Sequence, residues 1–291
     1  MIAVAGGTGL LGSRLVAALI AQGEEVRVLT RDRSRAGAAL GTTPEIVEVD
    51  VRHPDGLAEA VQGAATVVSA FHGFLGGRGE GPEEVDRQGN ANLIAAAQDA
   101  GSAVVLMSIM GASADSPADL FRAKFAAEQE LRASGVAWCI IRSGPYIETW
   151  HRVLQETAAR SGRPLIFGRG DRRLAFVAVD DVVALAARAA TDSTLLGEVL
   201  EIGGEPLSME QLALAVQAAH GWPGKPRHLP RAVLHVASVV ARPVSPTFAR
   251  QNRLALVMDT TDLGVGDPGL RDRLDLPPPR SVSQALGILR R

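Results

Sequence analysis

The first twelve residues restrict the possible folds more than any other stretch. Met1-Ile2-Ala3-Val4-Ala5 is a short apolar run. It meets Gly6, Gly9 and Gly12 and passes straight into an apolar-periodic segment with Leu15, Val16, Leu19 and Ile20. That order predicts a strand, a tight turn and a helix. Gly6 takes a backbone shape that a Cβ forbids, and Gly12 lets the helix lie against the strand. Gly9 leaves the main chain open to close approach by a ligand. A helix that begins on such a turn points N–H groups and the positive end of its dipole outward, which suits an anion such as a diphosphate.

The glycine triplet alone is an ordinary βα turn. Its context makes it more, because a second strand, Val26-Arg27-Val28-Leu29, follows the helix. Strand, glycine turn, helix and strand together predict a dinucleotide site, with Thr8, Leu10 and Leu11 joining the three glycines around the cofactor. The spacing is G-x-x-G-x-x-G, a departure from the commoner G-x-G-x-x-G.

Strands continue to alternate with helices. Further strands are expected at Glu45–Val49, Thr66–Ala70, Ala103–Ser108 and Ala137–Ile141, with helices near 55–62, 82–100 and 117–134. This rhythm predicts an α/β, Rossmann-type, doubly wound parallel sheet whose strands are buried on both faces. Beyond Arg142 the rhythm loosens. A helix is expected at 146–160, strands near 164–167 and 198–202, a helix from Asp180-Asp181 through Ala190, and a capping box at Ser208-Met209-Glu210-Gln211. The division drawn from this is a nucleotide-binding domain over 1–204, with 146–173 contributing to the substrate side. A smaller, mostly helical substrate-side lobe is expected over 205–291, ending in a helix after Ser281.

A chain of 291 residues buries a core of the required size. Its net charge of −2 argues against a nucleic-acid surface. Cys139 is the single cysteine, so neither an intrachain disulfide nor a cysteine-based zinc cluster is expected, and no metal is. The first strand begins at Met1 and no apolar run reaches bilayer length, so a cytoplasmic protein with no membrane partner is expected. The expected partner is a small-molecule substrate, and the chain is expected to be a monomer or homodimer.

The residue after strand two selects the dinucleotide. A carboxylate there suits the ribose hydroxyls of NAD and repels a 2′-phosphate. This chain has Arg31, with Arg33 and Arg35 close by, and a guanidinium clamps phosphate through paired hydrogen bonds. NADP is therefore expected over NAD. Ala70 and Phe71, after strand four, are expected to line the path toward the nicotinamide.

The motifs GGTGLLG (Gly6 to Gly12), LMSIMGAS (Leu106 to Ser113), RAKFAAEQELRASGVAWCIIRSG (Arg122 to Gly144) and FVAVDDVVALAARA (Phe176 to Ala189) resemble the atypical and extended short-chain dehydrogenases, in particular their NmrA-like branch. The resemblance implies an NAD(P)-dependent oxidoreductase acting on a small carbonyl, enone, imine or quinone. It implies Asp50-Val51 at the adenine edge, Ser108 as the group polarising substrate, and Lys124 on the nicotinamide ribose. It also implies a tyrosine four residues before that lysine, but Leu120 stands there. The only tyrosine of the chain is Tyr146, after strand six. The proton donor must come from elsewhere, and His72 and Tyr146 are the candidates, with His151 nearby in the substrate-contact region. Asp180 and Asp181 read as helix caps. Two other readings stay open on the same fold: a non-catalytic NADP(H)-sensing regulator, and a redox-neutral isomerase or lyase.

Overall fold

The structure is a computed structural model that describes residues 1–288. In chain order its elements begin with β1 (Ile2–Ala5), α1 (Leu10–Ala21), β2 (Val26–Thr30), α2 (Arg33–Leu40), β3 (Glu45–Glu48), α3 (Leu57–Val61) and β4 (Thr66–Ser69). A π-helical segment, Glu83–Gly89, leads into α4 (Asn90–Ala100), followed by β5 (Ala103–Ile109), α5 (Asp119–Ala133) and β6 (Trp138–Ser143). Next come α6 (Ile147–Ala158), β7 (Leu165–Phe167), β8 (Arg173–Ala175), α7 (Val179–Thr191), β9 (Val199–Ile202) and β10 (Pro206–Ser208). The chain closes with α8 (Met209–His220), β11 (Arg227–Leu229), α9 (Arg231–Val240), α10 (Pro246–Thr260), α11 (Leu270–Arg273) and α12 (Val282–Ile288).

Seven strands form the main sheet in the order β3-β2-β1-β4-β5-β6-β9. The β1–β2, β2–β3, β1–β4 and β4–β5 pairs are all parallel, with Val4 beside both Val28 and Val68. This is the doubly wound arrangement expected from the alternating sequence. The order reverses direction between β1 and β4, and ligands of open α/β sheets bind in the crevice at such a switch point. One face of the sheet buries Ala3, Ala5, Val67, Val104, Leu106 and Ile140 against Leu57, Leu93, Ala97, Ala127 and Leu131 of the covering helices. Cys139 is fully buried, and burial pushes its thiol up to about 12, so it is an inert core residue.

The chain forms two compact units, Met1–Arg142 with Val182–Leu200, and Ser143–Asp181 with Glu201–Arg291. The sequence division at 204/205 differs from this partition. The chain leaves the first unit at 142, returns for α7, and leaves again at 200, so 143–181 groups with the C-terminal lobe. Periodicity along a sequence cannot register such a return.

Two local differences matter for the site. Residues 31–35 read as a basic turn, yet α2 begins at Arg33, because the Asp32 carboxylate accepts a hydrogen bond from the Arg35 N–H (2.9 Å) and caps the helix. The helix expected from Pro82 begins instead as a π-helical segment, a wider winding often tied to functional sites. The capping box at Ser208 and Gln211 forms as the spacing predicted. Asp181 does more than begin α7: it is buried and paired with Arg271 (3.0 Å), while Arg280 pairs with Asp180. The cap on Val179 N–H comes from the buried Glu148 carboxylate (3.0 Å to both oxygens).

Candidate functional site

The glycine turn lies at the sheet's switch point. Gly6 has φ +85°, and a Cβ there would lie 2.8 Å from the carbonyl of Ala70, the residue after β4. A Cβ on Gly12 would lie 2.2 Å from the Gly6 carbonyl oxygen, so a side chain would push α1 off the turn. At Gly9 a Cβ would meet only the Gly6 oxygen at 3.4 Å, which leaves that side of the turn open. No side chain caps α1, and its first turn carries no acidic residue. Thr8, Leu10 and Leu11 belong to this same turn, with Leu10 exposed. An uncapped helix start on a glycine cradle has the donor geometry and the charge for a diphosphate, so the residues present fit a dinucleotide.

Arg31 follows β2 and is half-exposed. Its guanidinium meets the Glu80 carboxylate at 2.9 Å. Arg52 reaches the same carboxylate at 3.2 Å and holds Asp50 at 2.5 Å. Two arginines thus converge on one carboxylate, and the second is Arg52, not the Arg33 or Arg35 that the sequence set beside Arg31. Arg33 and Arg35 lie in the first turn of α2 and are exposed. Burial would raise the Asp50 carboxyl, but the Arg52 hydrogen bonds and charge, with Arg31 adding, hold it below the usual carboxylate range. Val51 packs against the core, and its carbonyl accepts from the Asn92 amide (2.9 Å).

Glu80 meets both Arg31 and Arg52, so it would compete with any phosphate drawn to those two cations. Exposed ion pairs are worth at most about 1 kcal/mol. Glu80→Gln should therefore tighten binding of a 2′-phosphorylated dinucleotide by roughly two- to fivefold. Titrating the cofactor against wild type and variant by fluorescence checks this, and unchanged or weaker affinity would show that Glu80 does not compete.

Helix α5 buries two charges one turn apart. Lys124 Nζ lies 3.0 Å from Asp86 Oδ1 and donates to the Phe71 carbonyl (3.1 Å), with both charged side chains almost wholly buried. No donor is hydrogen-bonded in line with Asp86 Oδ1, so this contact is an ion pair more than a directed bond. Asp86 comes from the π-helical segment, and its Oδ2 accepts from the Gly73 N–H (2.7 Å). Lys124 and Asp86 therefore hold the Phe71–Gly73 strand end from both sides. A lysine has three donors; the Phe71 carbonyl takes one, and Asp86 supplies the counter-charge.

Glu128 is buried four residues beyond Lys124. Its carboxylate takes two hydrogen bonds from Arg142 (3.0 and 2.7 Å) and one from the Ser108 hydroxyl (2.5 Å). The Ser108 proton is thus directed at a carboxylate, in contrast to the expected role of donating to substrate. Asp86, Glu128, Arg142, Arg52 and Glu80 were not singled out in the sequence. The signal for Asp86 and Glu128 was a carboxylate at a position that helical periodicity buries, because such a group needs a cation beside it.

His72 follows Phe71 and stays exposed to solvent. The surrounding protein lowers its pKa below the ordinary 6.5, Lys124 adds to that, and Asp86 opposes it. Its Nδ1 accepts from the Phe74 N–H (3.3 Å), which leaves Nε2–H as the outward donor of a neutral ring.

Within the second unit, Tyr146 precedes α6, and its phenol accepts from the Ser143 hydroxyl (3.4 Å). Burial raises its pKa, Glu148 adds to the rise, and the Ser143 contact opposes it, so the phenol stays neutral. His151 is buried, its Nε2 lies 3.1 Å from that of His220, and His220 stacks on Trp222. Burial lowers the His151 pKa below 6.5, and His220 adds to this. A depressed histidine pKa stabilises the fold where the unfolded chain is neutral, and that stability is lost as pH falls below 6.5 toward the folded value. Urea midpoints should therefore fall between pH 7.5 and pH 5.5, by less in His151→Gln. An equal fall in the variant would remove His151 as the cause. Among the described residues no cluster of three or more histidine, cysteine, aspartate or glutamate side chains has the arrangement to hold a metal.

The fold and the cradle define the class, and comparison with known proteins names it. The chain belongs to the NAD(P)H-binding family, whose sequence model matches residues 6–193. It is 28% identical over 225 residues to an NAD(P)H azoreductase of Xenophilus azovorans, covering 77% of this chain and 75% of that protein. It is 25% identical over 224 residues to quinone oxidoreductase 2 of Escherichia coli, covering 76% and 75%. A solved NADPH-dependent quinone oxidoreductase from Escherichia coli, complexed with NADPH, superposes over the full length of both chains with a TM-score of 0.78 and 21% identity. A nucleoside-diphosphate-sugar epimerase from Staphylococcus aureus superposes with a TM-score of 0.81 and 17% identity, covering 98% and 99%. These two structural likenesses speak to fold.

Proposed function

We propose that this chain is an NADPH-dependent reductase of quinones or comparably conjugated acceptors such as azo compounds. The observation that carries the reading is the pair Arg31 and Arg52 converging beside an uncapped glycine-turn helix at the switch point. The azoreductase and quinone oxidoreductase likenesses support it.

The cofactor supplies hydride from its nicotinamide, and the chain supplies position. Gly6, Gly9 and Gly12 would hold the diphosphate on the α1 dipole. Arg31 and Arg52 would take the 2′-phosphate from Glu80, with Asp50 and Val51 toward the adenine edge. Ala70 and Phe71 would line the path to the nicotinamide. Lys124, through the Phe71 carbonyl and Asp86, fixes that strand end and has a donor left for a ribose hydroxyl.

The missing tyrosine narrows the substrate. Reducing a simple ketone leaves a strongly basic alkoxide that needs a proton as it forms. A reduced quinone leaves a delocalised, weakly basic oxyanion that water can protonate, and to which the Nε2–H of a neutral His72 can donate a hydrogen bond. A chain whose one tyrosine is a half-buried, neutral phenol, and whose Ser108 proton is given to Glu128, suits the second class.

The same commitments of Ser108 and Lys124 to buried carboxylates are what an NADP(H) sensor without turnover would show. Following NADPH absorbance with a naphthoquinone, an azo dye, an aldehyde and a ketone decides between them. Saturable turnover of the quinone or azo compound, with the aldehyde and ketone inert, is expected. Tight NADPH binding with no turnover of any acceptor would overturn the reductase reading in favour of the sensor.

A further inference from the structure

The C-terminal unit carries an exposed surface of unusual charge and apolarity. Helix α9 buries only Leu234 and Ser238, four residues apart on one face. At 100° per residue the opposite face carries Val233, Val236, Val239 and Val240, all exposed, with Val240 69% exposed. The apolar surface continues past the helix in Val244 (88% exposed) and onto α10, which packs against α9, in Phe248. Water-facing aliphatic residues in such a run need a partner, since isolated ones are ordinary and clustered ones are not.

The segment that carries this ridge has charge of one sign. Between Glu210 and Asp259 the sequence contains no acidic residue, while it places Lys225, Arg227, Arg231, Arg242, Arg250 and Arg253 there. The chain as a whole carries −2, so the positive charge is segregated. Arg231, which opens α9, is paired with the buried Asp259 (2.5 Å), so the cations that accompany the ridge are Arg242, just past α9, and Arg250 and Arg253 on α10.

We propose that α9 and the start of α10 form a peripheral docking surface for an anionic lipid bilayer. The valine ridge enters the headgroup–acyl boundary, and the flanking arginines take lipid phosphates. An exposed aliphatic helix face on a segment rich in arginine and free of acidic residues is the pattern of helices that lie in the membrane interface. A second copy of this chain is a poorer occupant, because a two-fold interface would bring the same cations together with no acid to meet them. An acidic protein would meet the charge, but protein hot spots centre on tryptophan, tyrosine and arginine in pockets, and this ridge is valine. Among the described residues no helix is long and apolar enough to cross a membrane. A helix that lies in the interface does not need that length.

Flotation with vesicles of phosphatidylcholine, alone or mixed with phosphatidylglycerol, tests the proposal on the full chain. Binding to the mixed vesicles and not to the neutral ones is expected. It should weaken at least about tenfold when NaCl rises from about 0.05 to about 0.5 M, because screening shortens the reach of the arginines. The double variant V236D/V240D, with circular dichroism and NADPH affinity unchanged, should lose vesicle binding. V240S, a milder change at the most exposed valine of α9, should weaken it. Absence of binding to mixed vesicles at low salt, or unaltered binding by both variants, overturns the proposal. So does a dimer that V236D/V240D dissociates in the absence of any vesicle binding, a result that gives the ridge to a second copy.

Discussion

Arg31→Ala should weaken NADPH binding about 10- to 100-fold and leave NADH binding within about twofold. A charge-assisted hydrogen bond is worth about 1.5–3 kcal/mol, and each 1.4 kcal/mol is tenfold in affinity. Arg31 sits half-exposed after β2, so its removal leaves no buried group unpaired and the fold should not suffer. Arg52→Ala should cost NADPH binding less cleanly. Arg52 also holds Asp50 and donates to the Gly79 carbonyl (3.0 Å), so its loss frees the loop carrying Glu80. Calorimetric titration with NADPH and NADH separates the cases. Equal loss of both cofactors on Arg31→Ala would mean that Arg31 shapes the site without reading the 2′-phosphate, and the dinucleotide preference would then need another source.

Arg31 also shows what the sequence makes legible. The glycine turn, the positions of the first strands and the cation after β2 all follow from short-range chemistry: a φ that only glycine takes freely, an apolar run of strand length, a charge at a fixed offset. The structure places Gly6, Gly12 and Arg31 where those rules put them. What stayed hidden was pairing across long separations. Asp86 and Lys124 are 38 positions apart and meet only because the π-helical segment and α5 converge on the end of β4. Glu80 lies 49 positions from Arg31, in a glycine-rich loop that carries no periodic signal. Position 120 is readable as leucine from the sequence alone, and the structure adds that Ser108 donates to Glu128 while Tyr146 accepts from Ser143.

Lys124→Met is expected to lower folding stability by about 3–5 kcal/mol, because it strands the buried Asp86 carboxylate. Loss of turnover in this variant would therefore say little about catalysis by itself. Asp86→Asn should destabilise comparably by leaving the ammonium buried without its counter-charge, while its amide oxygen can still accept from the Gly73 N–H. The informative protein is the double variant K124M/D86N, which removes both charges, keeps an acceptor for Gly73 and restores most of the lost stability, since no uncompensated buried charge remains. If Lys124 acts only by fixing the Phe71–Gly73 segment, the double variant should regain NADPH affinity as it regains stability. If its remaining donor binds the nicotinamide ribose, affinity should stay about tenfold or more below wild type in a protein that melts like wild type. Urea unfolding and cofactor titration on the same three variants read both quantities. Less than about 1 kcal/mol lost in either single variant would show that the pair is not the buried ion pair its geometry describes.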